Sequence, residues 1–564
     1  MKKLIALSLG VLLLLAGGCK PANDAGVSLG AAENAITVSA YDYMHYGRHL
    51  EAAAKKFMAQ NPGTTVNVNV FSSMPEIKTT SSDDGGMTVA MISNDENPDA
   101  ESDYLRRLNT EMMSGGGADI IAMDIVPYYK YADAGQLLDL ADFMDKDESF
   151  NRADYFDTVL DAMRYKGGQY ILPLDFSFSY VTYDTELLTA AQAAEAAAKN
   201  KLSYADLLAL GGAGFAAKED LTLLSENPAQ LFSNLFAMNR DSFINLENKT
   251  CDFTSGAFAQ LLADVQAYKD AGYLRPMPVI STDGSSDGMF SSIDIEALRK
   301  GSGAQTYFNT GNSLMLLMNH FNTTQDGFMA FSIGGPSTVN HELSGLLADE
   351  NGLVEVDYME AFGINANTKN PELAWKFIKF LLAEEQQLSM YISGTPVHRN
   401  AAEESAKQTI VMMSGSAGAA TTSHRFIGEG ETMEGESGAP EIIPGDTLGG
   451  TPVGGDAGGD TTGGSVFGGG SFTVSGGAGA IRLDGGDEAP FVPAVLTAEQ
   501  TEVFERYMAK MNAYISGLSK HTPTELSLTA AVEAEAERFF NGGATAQDIA
   551  QALQSRIGLI LSEQ

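Results

Sequence analysis

Residues 415–486 hold 23 glycines in 72 positions, mixed with Ser, Thr and Asp and few large apolar residues. Such a stretch cannot bury enough apolar surface to offset the entropy of ordering it. It is expected to be a flexible, largely disordered insertion. Whatever folds must therefore be assembled from the chain on either side of it. Its Gly-Gly doublets recur at irregular intervals, so it is neither a collagen nor a calcium-repeat array.

The amino terminus carries an address. Met1-Lys2-Lys3 is a short positive region, and Leu4 to Leu15 is an apolar run broken only by Ser8 and Gly10. That run is shorter than the roughly 20 apolar residues a bilayer-spanning helix needs. It matches the core of a secretory signal. Ala16-Gly17-Gly18-Cys19 follows and resembles the lipobox of bacterial lipoproteins, in which the cysteine is lipidated and becomes the first residue. Residues 1–18 are thus expected to be a signal peptide, with Cys19 lipidated at the outer face of the membrane. A plain secretory signal with an incidental cysteine is the simpler alternative. Residues 19–35 are polar and non-periodic and read as a tether.

Charge and cysteine count exclude several classes. The net charge of −38 becomes −40 once Lys2 and Lys3 leave, a surface that repels nucleic acid and anionic lipid headgroups. Cys19 and Cys251 are the only cysteines, so a disulfide scaffold and a cysteine zinc site are both excluded. The remaining length is too great for one ordinary core and predicts two or more lobes.

Periodicity places the first elements. Ile36 to Ala40 reads as a strand, Gly47 to Gln60 has helical spacing, and Val66, Val68 and Val70 alternate as a half-buried strand. A helix over Tyr104 to Met113 precedes the buried strand Ala118 to Met123. This β-α-β-α-β order predicts a parallel sheet with crossover helices, whose ligands lie beyond the carboxyl ends of the strands. Those ends are Tyr41-Asp42-Tyr43 and Met123-Asp124. After the insertion the chain turns helical again at Thr497, an N-cap with Gln500 three residues on.

Four segments together resemble a known family. Gly167 to Leu188 (GGQYILPLDFSFSYVTYDTELL) is similar to a Gly-x-x-Tyr-x-x-Pro crossover followed by a Tyr-Asn strand end, with Asp184 in place of Asn. Gly115 to Leu140 resembles the segment that closes the first half of lobe one, and Lys369 to Ala402 and Arg538 to Glu563 resemble later segments of the same pattern. The chain is similar to the carbohydrate-type extracellular solute-binding proteins that feed ABC importers. The resemblance covers residues 36 to 402 and resumes near 497; the insertion has no counterpart.

The resemblance implies an α/β, two-lobe, periplasmic-binding-protein-like (Venus flytrap) fold that closes on a solute at a hinge. Lobe one would hold residues 36–172 and 354–396. Lobe two would hold 173–353, a return segment 397–414, and, after the 415–486 insertion, helices within 487–564. The chain would cross between lobes near Leu172-Pro173-Leu174, Val354 to Tyr358, and Pro396-Val397. The implied partners are a small solute of carbohydrate chemistry and an ABC importer permease, with no nucleic acid, no cofactor and a monomeric state.

Sugars present apolar ring faces and many hydroxyls, so their sites favour aromatic faces and Asp, Glu or Asn. Tyr41, Asp42 and Tyr43 offer both, with packing under the next helix as the alternative for either tyrosine. Asp124 is a hydroxyl acceptor or the N-cap of the helix that follows. Tyr128 is a further aromatic candidate beside Tyr129. By position after the first crossing, Asp175, Phe176 and Phe178 would face the cleft. The family pattern places contacts near Asn309, Thr310 and Asn312, and Glu360 and Phe362 occupy the second crossing. Trp375, the only tryptophan, lies among Ala374, Phe377, Ile378 and Leu381 at helical spacing and is expected in the core.

Two motifs are set aside. Asp283, Asp287 and Asp294 match part of an EF-hand loop, but Asp replaces the final Glu and no helix leads in, so a solvated loop is expected. Gly284 to Gly288 fits Gly-x-Ser-x-Gly, yet no buried strand precedes it as a nucleophile elbow requires. The histidines include no HExxH. No catalytic site is expected. The competing classes are a lipid-anchored glycan hydrolase, which needs two opposed carboxylates, and a surface protein using the insertion for adhesion or spacing.

Overall fold

The computed structural model describes residues 34–42, 46–72, 76–81, 87–92, 100–212, 215–216, 218, 221–246, 248–275, 305–312, 341–389, 394–419, 493–523 and 526–563. The signal segment, Cys19, Tyr43, the loop Asp283 to Asp294, and the insertion from residue 420 onward lie outside the described residues.

The first sheet has the strand order Thr65–Ser72, Ala35–Asp42, Ile120–Ala122, Ala361–Ile364, Leu172–Pro173. Its first three strands are parallel, as the β-α-β-α-β order predicts. The last two run antiparallel to their neighbours, which makes the sheet mixed. Ile36, Val38 and Ala40 point inward and are buried. Helix Tyr46–Gln60 covers them with Leu50, Ala53, Ala54 and Phe57. Helix Pro371–Leu381 docks beside it, with the Phe57 ring 5.1 Å from Phe377 in an edge contact. Trp375 is 5% exposed and its indole N–H donates to Asp147 (2.9 Å), so it is a core residue.

The second sheet has the order Lys201–Leu202, His341–Leu347, Asp175–Asp184, Gln305–Asn312, Leu221–Leu224. Both inner neighbours are antiparallel to the central strand Asp175–Asp184. A second core gathers Phe232, Phe236, Phe243, Phe253 and Phe258 with helices Leu526–Phe540 and Ala546–Glu563.

Strand Asp175–Asp184 is the spine that joins the two cores. Its first residues pair with Thr395–Pro396, its next with Val356–Asp357, and its far half enters the second sheet. The three crossings expected from sequence therefore lie side by side. A fourth runs through residues 516–523. It bridges to the second crossing at Glu355 and Lys520, and Val356 N–H donates to Lys520 O (2.9 Å).

That fourth crossing changes the domain boundaries. Helix Ala498–Ile515 packs Tyr507, Met508, Met511 and Tyr514 into the first core, not the second. Helix Arg399–Ala419 likewise adds Ala402, Ala406 and Ile410 to the first core and continues past residue 414. Of the segments assigned to lobe two by sequence, residues 399–410 and 498–515 pack against the first core, and the last two helices pack against the second. An apolar stripe specifies that a helix docks; it carries no label for which core receives it.

Candidate functional site

The crossings bring polar groups from both cores to one junction. Asp175 holds them together from inside. It is wholly buried. Oδ1 accepts the N–H groups of Met359 (2.9 Å) and Glu360 (3.1 Å), and Oδ2 accepts that of Gly394 (2.6 Å). A Cβ on Gly394 would lie 2.5 Å from Asp175 Oδ2, so glycine is what lets the third crossing approach. Burial pushes Asp175 up to about 6 against the three N–H bonds, which pull it down.

This placement corrects part of the sequence reading. Asp175 ties three chain segments together and does not face an open cleft. Phe176 and Phe178 are core residues at 0% and 1% exposure; they stack on each other and meet Phe156 and Tyr514 edge-on. Phe362 is also fully buried in the first core. Position beside a crossing predicted exposure, but β-alternation and packing turn these rings inward.

At the carboxyl edge of the first sheet stand Tyr41, Asp124 and Tyr128. Tyr41 is mostly buried, with its ring 5.6 Å from Tyr104. Asp42 ends the same strand. Asp124 follows strand Ile120–Ala122 and is half-buried. Tyr128 opens the short helix Tyr128–Asp133, and its ring stacks on His521 of the fourth crossing at 6.1 Å. Tyr358 of the second crossing lies 5.1 Å from the same imidazole and donates its hydroxyl to Met123 O (3.3 Å). His521 Nδ1 lies 3.0 Å from Val356 O, and burial pushes its pKa down.

A cavity of about 330 Å³ opens between the crossings and the second core, lined by Ser179, Asn234, Arg240, Thr310, Glu355 and Asp357 among others. Thr310 donates its hydroxyl to Glu226, which also accepts the Tyr204 hydroxyl (2.8 Å). Asn309, one residue before, has both side-chain amide atoms buried with no hydrogen-bond partner among the described residues. Asn312 ends that strand opposite Ser179. Arg240 donates to Pro523 O and Asp241. Asp357 lines the cavity with 57% of its side chain exposed, and its Oδ1 lies 3.8 Å from His521 Nδ1. Burial and the neighbouring Asp357 raise the Glu355 carboxyl.

Of the sequence candidates, Thr310 lines the cavity, Tyr128 stacks on His521, and the charge of Asp124 acts on Glu360. Sequence reasoning missed Ser179, Arg240, Glu355, Asp357 and His521. Only Glu355 and Asp357 carried a signal, since they lie inside the predicted second crossing. Among the described residues, no group of three or more His, Cys, Asp or Glu is placed to hold a metal ion, and no helix is long and apolar enough to cross a membrane.

Two α/β cores are joined by crossing strands, with a polar junction between them. Residues 52–414 match the sequence profile of the bacterial extracellular solute-binding protein family, and the chain belongs to that family. A search of curated proteins found no match. Among solved structures it is similar to an extracellular solute-binding protein family 1 member from Alicyclobacillus acidocaldarius, at 15% identity, 93% of this chain, 98% of that one and a TM-score of 0.47. The sugar-binding protein MalE of Xanthomonas citri gives 14% identity, 94% and 98% coverage and a TM-score of 0.47. An ABC substrate-binding protein of Listeria monocytogenes, solved with cycloalternan, gives 15% identity, 94% and 99% coverage and a TM-score of 0.42.

Proposed function

We propose that this chain is a receptor that delivers a small hydroxylated solute, a sugar or oligosaccharide, to an ABC importer by hinge closure. The observation that supports this reading is the junction itself. Carboxylates of the second crossing (Glu355, Asp357) and polar groups of the second core (Asn234, Thr310) line one cavity beside the crossing segments, and Tyr128 and Tyr358 meet the His521 imidazole nearby. Aromatic faces suit sugar rings, and Asp, Glu and Asn suit their hydroxyls. A solute that touches both cores only in the closed form shifts the hinge toward closure by its differential contacts. The importer would then read the closed form. Lipid on Cys19 and the tether over residues 19–35 would keep the receptor beside its importer and raise its effective concentration there.

A thermal-shift panel of sugars and oligosaccharides tests the solute class. A ligand at a hundred times its Kd should add about 2.7 kcal/mol of stability. No shift with any sugar, alongside a clear shift with another solute class, would sink the carbohydrate assignment. Product analysis of the same mixtures should show intact glycans; released fragments would point to a hydrolase instead. Mass spectrometry of the mature protein should find Cys19 as the first residue, carrying acyl chains. An unmodified cysteine, or cleavage elsewhere, would remove the anchor.

A further inference from the structure

Glu226 is buried behind one wall of the cavity, at 5% exposure. The hydroxyls of Ser225 (3.5 Å), Tyr204 (2.8 Å) and Thr310 all donate to its carboxylate. The charge of Arg275 is attracted to the same group. With its own hydrogen committed, the Tyr204 oxygen accepts Asn234 Nδ2 (2.8 Å). Each hydrogen bond of this network therefore runs toward Glu226. Asn234 and Thr310 also line the cavity. The Thr310 hydroxyl has spent its hydrogen, so it can only accept from a ligand. The amide of Asn234, turned nitrogen-first to Tyr204, keeps Oδ1 as its acceptor.

The rest of the lining agrees with that polarity. The second crossing adds the carboxyl groups of Glu355 and Asp357, and helix Leu526–Phe540 adds that of Glu533. Positive groups nearby are already engaged. Arg240 donates to Pro523 O and Asp241, and Lys520 pairs with Asp349. Burial drives the His521 imidazole toward its neutral form. Beneath this rim the cavity is apolar, with Phe236, Ile244, Leu347, Leu528 and Val532 each 5% exposed or less.

We propose that the cavity receives the ammonium group of an amino sugar, and that Glu226 is the positioning residue that fixes its acceptor wall. An ammonium carries three donors and no acceptor, which complements such a wall. A carboxylate or phosphate would set acceptors against acceptors. A neutral hydroxyl brings one donor and lacks the charge that makes these hydrogen bonds strong. The apolar surface suits the ring face or carbon chain that bears the amine. That the amine belongs to a sugar rests on the receptor reading; the preference for an ammonium does not.

The test titrates the full chain with glucosamine, glucose and glucuronate. Glucosamine should bind about tenfold or more tightly than glucose, the gain expected when a neutral hydrogen bond becomes a charged one. Glucuronate should bind weakest. Equal affinity for glucosamine and glucose, or tighter binding of glucuronate, overturns the proposal. Butylammonium and butyrate, small enough for the cavity alone, supply a readout free of the sugar question. Butylammonium should raise Tm and butyrate should not. The reverse order, or no shift from either, overturns the ammonium site. A shift with butylammonium and none with any sugar fails the receptor reading while the ammonium site stands. Glu226→Gln can donate back to Thr310 or Tyr204 and so reverse a bond of the wall. It should bring glucosamine affinity down toward that of glucose. An equal loss for both sugars makes Glu226 a structural residue and overturns its positioning role. Asp357→Asn serves as the variant on the exposed side of the cavity, where folding is not at stake. It should weaken glucosamine more than glucose by about tenfold, and an unchanged ratio counts against the proposal.

Discussion

Asp175→Ala should destabilise the fold by about 3 kcal/mol or more, since each buried N–H left without an acceptor costs roughly 1–3 kcal/mol. Three N–H groups lose their acceptor at once, those of Met359, Glu360 and Gly394. They belong to the second and third crossings, so the loss falls on the segments that join the two cores. Removing a buried carboxyl returns part of this at neutral pH, because burial already pushes Asp175 up to about 6. Chemical denaturation of wild type, Asp175→Ala and Asp175→Asn checks the size. The asparagine keeps one acceptor oxygen and should fall between the other two. An alanine variant as stable as wild type would show that the three N–H groups find other partners, and the staple would not be what holds the crossings.

Trp375→Ala should cost about 3–5 kcal/mol, the usual range for emptying a large aromatic site in a core. Its ring stacks 5.9 Å from Phe143 and meets Phe150 at 5.5 Å, and its N–H donates to Asp147. Lys379 also pairs with Asp147, and these bonds hold that carboxylate far below the usual range. Trp375→Phe keeps most of the packing and loses only the N–H bond, so about 1 kcal/mol is expected from that variant. Neither change should alter solute affinity in Trp375→Phe, the better-folded protein, as read by titration with a panel sugar. A large affinity loss in Trp375→Phe would make this ring a sugar platform after all.

Legibility followed the range of the interaction. The helix over Pro371–Leu381 and the burial of Trp375 were readable because both depend on spacing within a dozen residues. The parallel start of the first sheet was readable for the same reason. The antiparallel strands at its far side come from residues 361–364 and 172–173, remote in sequence from the strands they join. Candidate contacts fared less evenly. Asp124 and Glu360 were named from two separate arguments, a strand end and a crossing, and they flank two strands that pair with each other in the first sheet. Phe176, Phe178 and Phe362 shared the same crossings but turned into the core. Their neighbours in sequence could not reveal which face of each strand was covered.

The amino-acid sequence by itself determined the apolar periodicities, the likeness to solute-binding proteins, and the stretch of glycine that no core can absorb. These are local or compositional properties, and local spacing suffices to read them. Only the tertiary structure decided that Asp175 is a staple and that residues 516–523 form a fourth crossing. Each of these depends on backbone groups from distant parts of the chain meeting at one place. Hydrogen-bond geometry and charge separation exist only once that meeting has occurred.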